Sequence, residues 1–432
     1  MRVLVLGGYG LIGLAICREL QAAGHDVTGL ARSAATGPRL LPGIAWASAD
    51  LADIRSAGDW KALLGNVDVV VNAAGALQDG LRDSVERVHH VAIASLAAAC
   101  AETGRVRLVQ VSAPGTRVDS STAFMRSKAR ADAAIKASGI GWVILRPGLV
   151  LGTSAFGGSA LLRSLAAFPL VLPVALPDRR IQAVALADVA RVAREAVEGR
   201  IPLGTDVDLV EDEPHSLREI VTRLRAWMGV PPPVATITAP PWLVSMTAGV
   251  ADCLGLLGWR SPLRGTAVRL LGDEVLGDPA PLRAIRGTGL ASLERMLQSM
   301  PAGVQERWFA RLSLLLPLLV ATLSAFWIAS GAIGLVDVGR AARVIPAAAM
   351  SPSMASGLVV AGAVVDIALG AAVLLRPFAR LACLGMVAVS ASYLAAATFV
   401  TPGLWLDPLG PLVKVVPAAM LALLALPLLE ER

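Results

Sequence analysis

The first thirteen residues, MRVLVLGGYGLIG, constrain the fold of this chain more than any other stretch. An apolar run typical of a buried strand ends at Gly7, and Gly8, Gly10 and Gly13 follow before helix-compatible sequence begins. Glycines at these spacings permit a tight turn, close approach to a pyrophosphate and packing of helix against strand, while the helix N-terminus presents free N–H groups to the phosphates. The stretch therefore predicts a strand, turn and helix that bind a dinucleotide. The alternative is a glycine-rich turn in another α/β fold.

The composition indicates several domains and a membrane part. A chain of 432 residues is long enough for two or three domains, each with its own core. Hydrophobic residues make up 55% of it although aromatic residues are only 4%, and the mean hydropathy is +0.64. The hydrophobic residues are therefore mostly small or aliphatic, and their share is higher than a purely soluble protein needs.

The charged residues and cysteines exclude some classes of site. The net charge of +6 comes from scattered arginines without a basic run, which argues against a nucleic-acid partner and suits cytoplasmic membrane flanks. The four cysteines are far apart and form no CxxC pair, so we expect neither a metal site nor a disulfide framework.

Apolar β-rich runs alternate with helical patterns in the first half of the chain. The runs that follow the first strand cover residues 26–30, 44–47, 67–71, 106–111, 142–145 and 206–210. This alternation predicts an α/β Rossmann-like fold with a doubly wound parallel sheet, whose ligands bind at the carboxyl ends of the strands. The candidate cofactor-binding residues are therefore Gly7, Gly8, Tyr9, Gly10, Leu11, Ile12, Gly13, Arg32, Asp50, Leu51, Ala73, Ala74, Gly75, Lys128, Pro147 and Gly148.

Arg32 is the most informative of these residues for the choice of cofactor. An NAD(H) site usually carries an Asp or Glu about 20 residues after the glycine loop, where it binds the ribose 2′-hydroxyl. Here the second strand ends in Ala31-Arg32-Ser33, and a guanidinium can pair with a 2′-phosphate. NADP(H) is favoured over NAD(H). The alternative is that Arg32 is a solvated loop charge.

After residue 311 the sequence becomes strongly apolar. Four nearly uncharged runs cover residues 312–336, 357–375, 381–400 and 412–429, each near the length that crosses a bilayer as a helix. We predict three parts: a dinucleotide-binding domain at 1–230, a linker and helical extension at 231–311, and a four-helix transmembrane bundle at 312–432.

The basic residues that flank the apolar runs predict the orientation. An even number of spans keeps both termini on one side, and arginines before the first run and between the second and third place that side in the cytoplasm. Arg340 and Arg343 lie in the first outer loop and argue against this orientation. Met1 leads directly into the first strand, so we expect no signal peptide. The expected location is the inner membrane, with the Rossmann domain in the cytoplasm.

Two charges interrupt the apolar runs, Asp366 and Lys414. A charge near hydrocarbon is costly and is usually paired or faces a cavity, so the two residues are candidate partners. The alternative is that each residue lies near a membrane–water interface and extends its charged group into water.

Over about the first 230 residues, several short stretches of the sequence together resemble an atypical or extended short-chain dehydrogenase/reductase. They are the opening glycine loop, Ser112 after its strand, the stretch at 127–132 with Lys128, the RPG at 146–148 and the segment at 183–190. The most similar branch contains the nucleotide-binding accessory subunit of respiratory complex I. The last 120 residues or so resemble the four-helix DoxX-like membrane domain, mainly at residues 410–414.

The resemblance implies a catalytic triplet that this chain matches only in part. In active members a Tyr four residues before the Lys transfers the proton, the Lys binds the nicotinamide ribose, and a Ser polarises the carbonyl. Lys128 and Ser112 match, but Phe124 stands at the tyrosine position. The only tyrosines are Tyr9 and Tyr393, so the usual general acid, typically a 10²–10⁴-fold effect, is missing.

Three functional interpretations remain open from the sequence. The first is an NADP(H)-binding protein without the usual catalysis that serves as an assembly or regulatory subunit of a membrane complex. The second is an active NADPH-dependent oxidoreductase acting on a quinone or another lipophilic molecule. The third is a membrane redox or transport domain that the Rossmann domain regulates. The adjacent His89 and His90 are either an acid/base device or one buried and one exposed packing residue.

Overall fold

The computed structural model describes residues 1–33, 35–80, 84–259, 261, 263–272, 274–346 and 348–430. It forms two compact units. One comprises Met1–Asp252 with Ser261–Arg307, and the other comprises Trp308–Arg432 with Cys253–Arg260. Most of the segment 231–311 thus belongs to the first unit.

The first unit is built on a seven-stranded parallel sheet. Its strands, in chain order, are β1 Arg2–Leu6, β2 Asp26–Ala31, β3 Ala45–Ser48, β4 Val69–Asn72, β5 Arg107–Val111, β6 Trp142–Pro147 and β7 Thr205–Leu209. The spatial order is β3-β2-β1-β4-β5-β6-β7, which is the doubly wound Rossmann order extended by one strand. The predicted fold class is confirmed. β1 lies between β2 and β4, where the strand order reverses and where such sheets bind ligands.

Alternation along β1 explains why helices cover both faces of the sheet. Side chains of successive strand residues point to opposite faces, so Val3 and Val5 join one hydrophobic cluster while Leu4 and Leu6 join another. The first cluster includes residues of the helices Leu11–Ala22 and Leu186–Val197, and the second those of Ala92–Thr103 and Ala123–Ala137. The central strands are buried on both faces, which explains their continuous apolar sequence.

Shorter elements complete this unit. Three small strand pairs join Leu149–Leu151 with Ala183–Ala185, Arg180–Ile181 with His215–Ser216, and Val171–Val174 with Ala235–Thr238. The other helices and helical turns begin and end at Thr36–Leu40, Ala57–Trp60, Lys61–Leu64, Arg87–Val91, Gly158–Ala166, Leu217–Trp227, Gly265–Gly272, Ala280–Arg286 and Leu293–Ser299. An apolar helix, Pro241–Leu256, is shorter than a membrane span.

In its described residues, the second unit consists mainly of four helices long and apolar enough to cross a membrane: Val304–Val336, Pro352–Ala372, Ala379–Val400 and Pro411–Leu428. The shortest has 18 residues, which at about 1.5 Å per residue nearly matches a hydrocarbon core about 30 Å thick. A short helix, Val338–Ala342, and a 3₁₀ turn, Pro402–Trp405, lie in the connections. The predicted four-helix architecture is confirmed.

Candidate functional site

The glycine loop closes tightly against the neighbouring strand end. Gly7 has φ +70°, and a Cβ on it would lie 2.8 Å from the Cα of Ala74, in the loop after β4. A Cβ on Gly13 would overlap the carbonyl oxygen of Gly7. Since both obstacles are backbone atoms, these positions admit only glycine. The structure thus brings the predicted loop residues and Ala73–Ala74 to one edge of the sheet.

The helix that follows presents its N-terminus at this edge. Helix Leu11–Ala22 begins after Gly10, which has no side chain to cap it. The N–H groups of Leu11, Ile12 and Gly13 lie in the first turn and have no intrahelical acceptor. Such a group of N–H donors, with the positive end of the helix dipole behind it, favours a phosphate. Tyr9 lies in the turn between Gly8 and Gly10.

The next two strands place Arg32 and Asp50 after their carboxyl ends. Arg32 follows β2, its side chain is exposed, and its carbonyl oxygen accepts a hydrogen bond of 3.2 Å from the Ser48 hydroxyl. Asp50 lies beyond β3, and its Oδ1 accepts from the backbone N–H of Ala52 at 3.0 Å, while Leu51 is buried.

A buried histidine joins the loop after β4 to the helix Ala123–Ala137. The backbone N–H of Ala76 donates to His89 Nε2 at 2.9 Å, so Nδ1 carries the proton and donates to the Ser127 hydroxyl at 3.0 Å. Ser127 in turn donates to the Phe124 carbonyl oxygen at 3.0 Å. Burial, and secondarily the charge of Lys128, lower the pKa of His89 well below its usual value. A neutral His89 therefore holds the loop in place.

The partner of this pair, His90, has a different setting. Its Nδ1 lies 2.7 Å from the Glu86 carboxylate, and its side chain is partly exposed. One histidine is thus buried and structural and the other faces the surface, as the packing interpretation predicts.

Lys128 is buried beneath Phe124 on the same helix. Its side chain is 6% exposed, its ammonium donates to the Val111 carbonyl oxygen at 3.0 Å, and Nζ lies 5.5 Å from the centre of the Phe124 ring. Burial lowers the pKa of Lys128 to about 8, against the opposing effect of Asp132. A charge this close to an aromatic face is stabilised by the ring.

Ser112 belongs to a buried charged network that the sequence did not reveal. Its hydroxyl donates to Asp132 Oδ2 at 2.6 Å, and the same carboxylate lies 2.9 Å from the Arg146 guanidinium. Arg146 also binds Asp206 at 2.6 Å and 3.0 Å. Burial raises the pKa of Asp132, whereas hydrogen bonds from Arg146 and Lys136 lower the pKa of Asp206 despite its burial.

The spacing of Lys128 and Asp132 was the available sequence signal for this network. Residues four apart on a helix lie on one face, so an ammonium and a carboxylate at i and i+4 indicate a shared environment. Nothing local indicated Asp206, which comes from β7 and reaches the network only because β7 pairs with β6.

Of the last two predicted residues, Pro147 ends β6 at the same edge and Gly148 follows it. Pro147 is buried, and the N–H of Gly148 donates to the Leu209 carbonyl oxygen at 3.1 Å. A Cβ on Gly148 would lie 3.0 Å from the Val210 side chain and overlap the Gln182 carbonyl oxygen. Close packing between strands accounts for this glycine.

A cleft of about 380 Å³ opens beside Phe124. It is lined by Leu77, Gln78, Asp79, Val85, Ser121, Thr122, Ala123, Phe124, Arg126, Thr266 and Arg269. Arg126 donates to the carbonyl oxygens of Ser120 and Ser121 at 2.8 Å and 3.0 Å, while Arg269 is exposed. One wall comes from helix Gly265–Gly272, in a region where the sequence indicated no function.

Both parts of the chain match known protein families. Residues 7–198 match an NAD(P)H-binding family, and residues 324–423 match the DoxX-like family.

Two curated relatives match part of the chain. A 2-alkyl-3-oxoalkanoate reductase of Stenotrophomonas maltophilia is 34% identical over 114 residues, which cover 26% of this chain and 34% of that protein. An uncharacterized protein of Mycobacterium tuberculosis is 27% identical over 226 residues, which cover 52% of this chain and 23% of that protein. The chain thus matches about a third or less of the length of these relatives.

Among solved structures, the Bordetella bronchiseptica enzyme WbmG in complex with NAD superposes with a TM-score of 0.52 at 20% identity. The match covers 69% of this chain and 92% of WbmG. Identity this low establishes the fold alone. The sheet order and the two family matches together indicate an NAD(P)-binding domain with a Rossmann fold joined to a DoxX-like domain, with four candidate transmembrane helices among the described residues.

Proposed function

We propose that this protein is a membrane-attached NADP(H)-binding protein whose Rossmann domain binds its cofactor without the usual proton-transfer chemistry. The observation that carries the proposal is Phe124, which stands four residues before Lys128 with its ring 5.5 Å from the ammonium. A phenyl ring keeps the packing of a tyrosine but has no proton to exchange. General-acid catalysis by this position is therefore lost.

The residues at the sheet edge fit the proposed cofactor. The tight turn at Gly7 and Gly13 and the free N–H groups of residues 11–13 suit a pyrophosphate. Arg32 follows β2 and would pair with a 2′-phosphate, and Asp50 and Leu51 would flank the adenosine. Ala73, Ala74, Gly75, Lys128, Pro147 and Gly148 would surround the nicotinamide half. When bound, the nicotinamide supplies or accepts a hydride.

The engagement of Ser112 and Lys128 also favours binding over turnover. The Ser112 hydroxyl donates to Asp132, and the Lys128 ammonium donates to the end of β5. A serine that polarises a substrate carbonyl must donate its proton to that carbonyl instead. The Asp132 carboxylate thus competes with a substrate carbonyl for the hydrogen bond from the Ser112 hydroxyl.

We further propose that the cofactor domain lies on the cytoplasmic side of the inner membrane. Arg307 and Arg311 precede the first apolar run, and Arg376 and Arg380 separate the second from the third. Positive charge on these flanks favours the cytoplasmic side. In this arrangement, cofactor occupancy would stabilise or signal within a membrane assembly.

Cofactor titration and turnover test this function together. We expect the purified full chain to bind NADPH more tightly than NADH, and membranes containing it to show no NADPH oxidation with carbonyl or quinone acceptors. Phe124→Tyr is expected to create or raise carbonyl reduction, because it restores the phenol beside Lys128. Turnover by the unmodified protein that disappears in Lys128→Ala, with cofactor binding retained, would contradict the proposal.

A paired substitution tests the cofactor preference. Arg32→Ala removes a charge-assisted pair worth about 1.5–3 kcal/mol, so we expect NADPH affinity to fall about tenfold to a hundredfold while NADH affinity stays unchanged. Equal loss of affinity for both cofactors would refute the 2′-phosphate contact.

The cleft beside Phe124 favours a second candidate function, reduction of a lipophilic carbonyl compound. Arg126 and Arg269 provide positive charge beside the apolar Leu77 and Val85, and Asp79 is the one acidic residue in the described part of the lining. This combination suits an anionic molecule with an alkyl chain, and the reductase among the relatives is named for a 2-alkyl-3-oxoalkanoate.

The test is a substrate comparison. Arg269→Ala should raise KM for a 3-oxo acid but not for a neutral ketone of the same length. Arg295→Ala, on a different helix, provides the matched control.

A further inference from the structure

The helix Pro241–Leu256 has one side that is apolar and exposed. Trp242, Met246, Val250 and Leu256 are each more than half exposed. At about 3.6 residues per turn, these four residues lie within about a third of the helix circumference. The other exposed residues on this side are small and uncharged, namely Ser245, Gly249 and Cys253. We call this side of the helix its exposed face.

The opposite side of the helix faces the rest of the protein. The small residues buried there are Ala248, Ala251 and Gly255. Asp252 is the one charged residue of the helix, and its carboxylate accepts hydrogen bonds of 3.0 Å from the Arg264 guanidinium and 3.3 Å from the N–H of Gly265. The only charge of the helix is thus paired within the protein, and the exposed face carries none.

The helix is apolar on both sides but is too short to cross a membrane. A helix that is hydrophobic all round is normally buried in a protein core or in a bilayer. With 16 residues it is about 24 Å long, less than the roughly 30 Å of a hydrocarbon core. The strand before it, Ala235–Thr238, is exposed throughout, and Asp252 is the only charged residue in the segment 234–256. A contiguous exposed apolar surface marks a protein or membrane contact.

The C-terminal end of the helix is fixed where the chain passes from the second to the third apolar helix. The N–H of Arg376, in that connection, donates to the Leu257 carbonyl oxygen at 3.0 Å. The Trp259 indole N–H donates to the Leu374 carbonyl oxygen at 2.6 Å, and the Arg376 guanidinium lies 5.5 Å from the centre of the Trp259 ring. All four residues belong to the second unit. A connection between two transmembrane helices lies at the membrane–water boundary, where Trp is enriched.

This attachment favours lipid as the occupant of the exposed face. The face begins at Leu256, three residues before Trp259, so the boundary of the bilayer adjoins it. A partner protein would have to be recruited, whereas the bilayer is present wherever the apolar helices are inserted. Helices that lie in this boundary bury their apolar side between headgroups and acyl chains. Trp242, at the other end of the face, is of the residue type that is common at this depth.

We propose that helix Pro241–Leu256 lies in the plane of the bilayer surface and that its exposed face contacts the lipid acyl chains. The partner is the lipid interface on the side of the membrane that carries Arg376. Asp252 and Arg264 remain on the side of the helix that faces the protein. The contact requires lipid alone, so it is independent of the cofactor binding proposed above.

Spin labelling of the full chain in phosphatidylcholine–phosphatidylglycerol vesicles tests this arrangement. Cys253 lies on the exposed face and the other three cysteines are buried, so a nitroxide reagent labels the unmodified protein at Cys253. Met246→Cys and Val250→Cys, each combined with Cys253→Ser, provide two further positions. Val118→Cys in the same background is the control, because Val118 is exposed between the two residues of an exposed ion pair.

Electron paramagnetic resonance measures how often each label collides with oxygen, which concentrates in lipid, and with a nickel chelate, which stays in water. We expect the oxygen-to-nickel ratio at the three helix positions to exceed that at Val118→Cys by about fivefold or more. The three ratios should agree within about threefold, because a helix in the plane of the bilayer keeps one depth.

Three results would overturn the proposal. A ratio equal to that of the control would show that the exposed face contacts water. Low collision rates with both reagents would show that protein, such as a second copy of the chain, covers the face. A ratio that falls steadily from Cys253 to Met246→Cys and reaches the control value would show that only the end of the helix meets lipid.

A charged substitution separates lipid contact from packing within the protein. Met246→Glu places a carboxylate on the exposed face, where contact with acyl chains becomes costly, so we expect the ratio at Cys253 to fall about threefold or more. Val118→Glu is the matched control, since both residues are apolar and more than half exposed. An unchanged ratio in Met246→Glu would mean that protein contacts alone hold the helix, contrary to the proposal. NADPH affinity on the same samples should not change, which separates this test from that of cofactor binding.

Discussion

The sheet unit and the helix bundle both contain a buried carboxyl group, Asp132 and Asp366, and they stabilise it differently. Asp132 contacts the Arg146 guanidinium and lies on the same helix face as Lys128, so full charges surround it. Asp366 receives only the neutral hydroxyls of Ser330 and Tyr393.

The difference follows from what each surrounding can supply. In the first unit, Arg146 binds Asp132 and Asp206 together, so its charge is neutralised within the network. An additional cation in the apolar bundle would itself need a partner, whereas a hydroxyl donates a hydrogen bond without bringing a charge into hydrocarbon. Loss of one partner should therefore destabilise the sheet network far more than the bundle.

The largest expected effect is at Arg146. Arg146→Met leaves Asp132 without its guanidinium, and breaking a buried pair in this way costs about 3–5 kcal/mol. The free energy of unfolding, from urea titration of the full chain in detergent, measures it. Arg117→Ala, which breaks an exposed pair with Asp119, is the control and should change nothing measurable. A similarly small loss for Arg146→Met would mean that the network contributes no stability.

A smaller loss is expected from Asp132→Asn. The amide can still accept from Ser112, but it no longer balances the charges of Arg146 and Lys128, a loss of about 1–3 kcal/mol. Unfolding of this variant should also depend less on salt than unfolding of Arg146→Met. If Asp132→Asn were the more damaging of the two, the carboxylate rather than the arginine would be the centre of the network.

The next effect appears in the dependence of stability on pH. The pKa of Lys128 is lowered from 10.5 to about 8, so between these values the unfolded chain binds the additional proton. Stability from this group therefore rises with pH above about 8, by up to about 1.4 kcal/mol per pH unit. The measurement is the difference between the unmodified protein and Lys128→Met from pH 7.5 to 10, because subtraction removes contributions such as the thiols of Cys17 and Cys100. A flat difference would show that Lys128 titrates normally.

The smallest effect is expected at Asp366. Asp366→Asn keeps acceptors and donors for Ser330 and Tyr393, so the stability of the bundle should change by less than about 1 kcal/mol. Thermal unfolding in detergent measures it, with Ser392→Ala as control. A loss of stability as large as that of Arg146→Met would show that the two buried carboxyl groups contribute equally to stability.

Much of the fold was predictable because its signals are local. Seven apolar runs, a glycine turn and four nearly uncharged stretches each indicate an element within a few residues, and right-handed crossovers restrict the possible strand orders. That the residues after these strands meet at one edge of the sheet was predictable for the same reason, because the strands are parallel.

The charged network and the cleft were harder to predict from the sequence. Asp206 reaches Arg146 through pairing of β7 with β6, some sixty residues apart in the chain, and Arg269 reaches the cleft from a segment without a recognisable pattern. Contacts between residues so distant in sequence leave no periodicity to detect.

By itself, the sequence determined the class of each half of this protein and the phenylalanine four residues before Lys128, because strands, glycine turns, apolar spans and residue identity are properties of short stretches. Only the tertiary structure decided how the polar groups are used: Ser112 donates to Asp132, Lys128 lies beneath Phe124, and Asp366 bonds to hydroxyls instead of Lys414. Hydrogen bonds and ion pairs depend on distances of about 3 Å, and folding alone sets these distances.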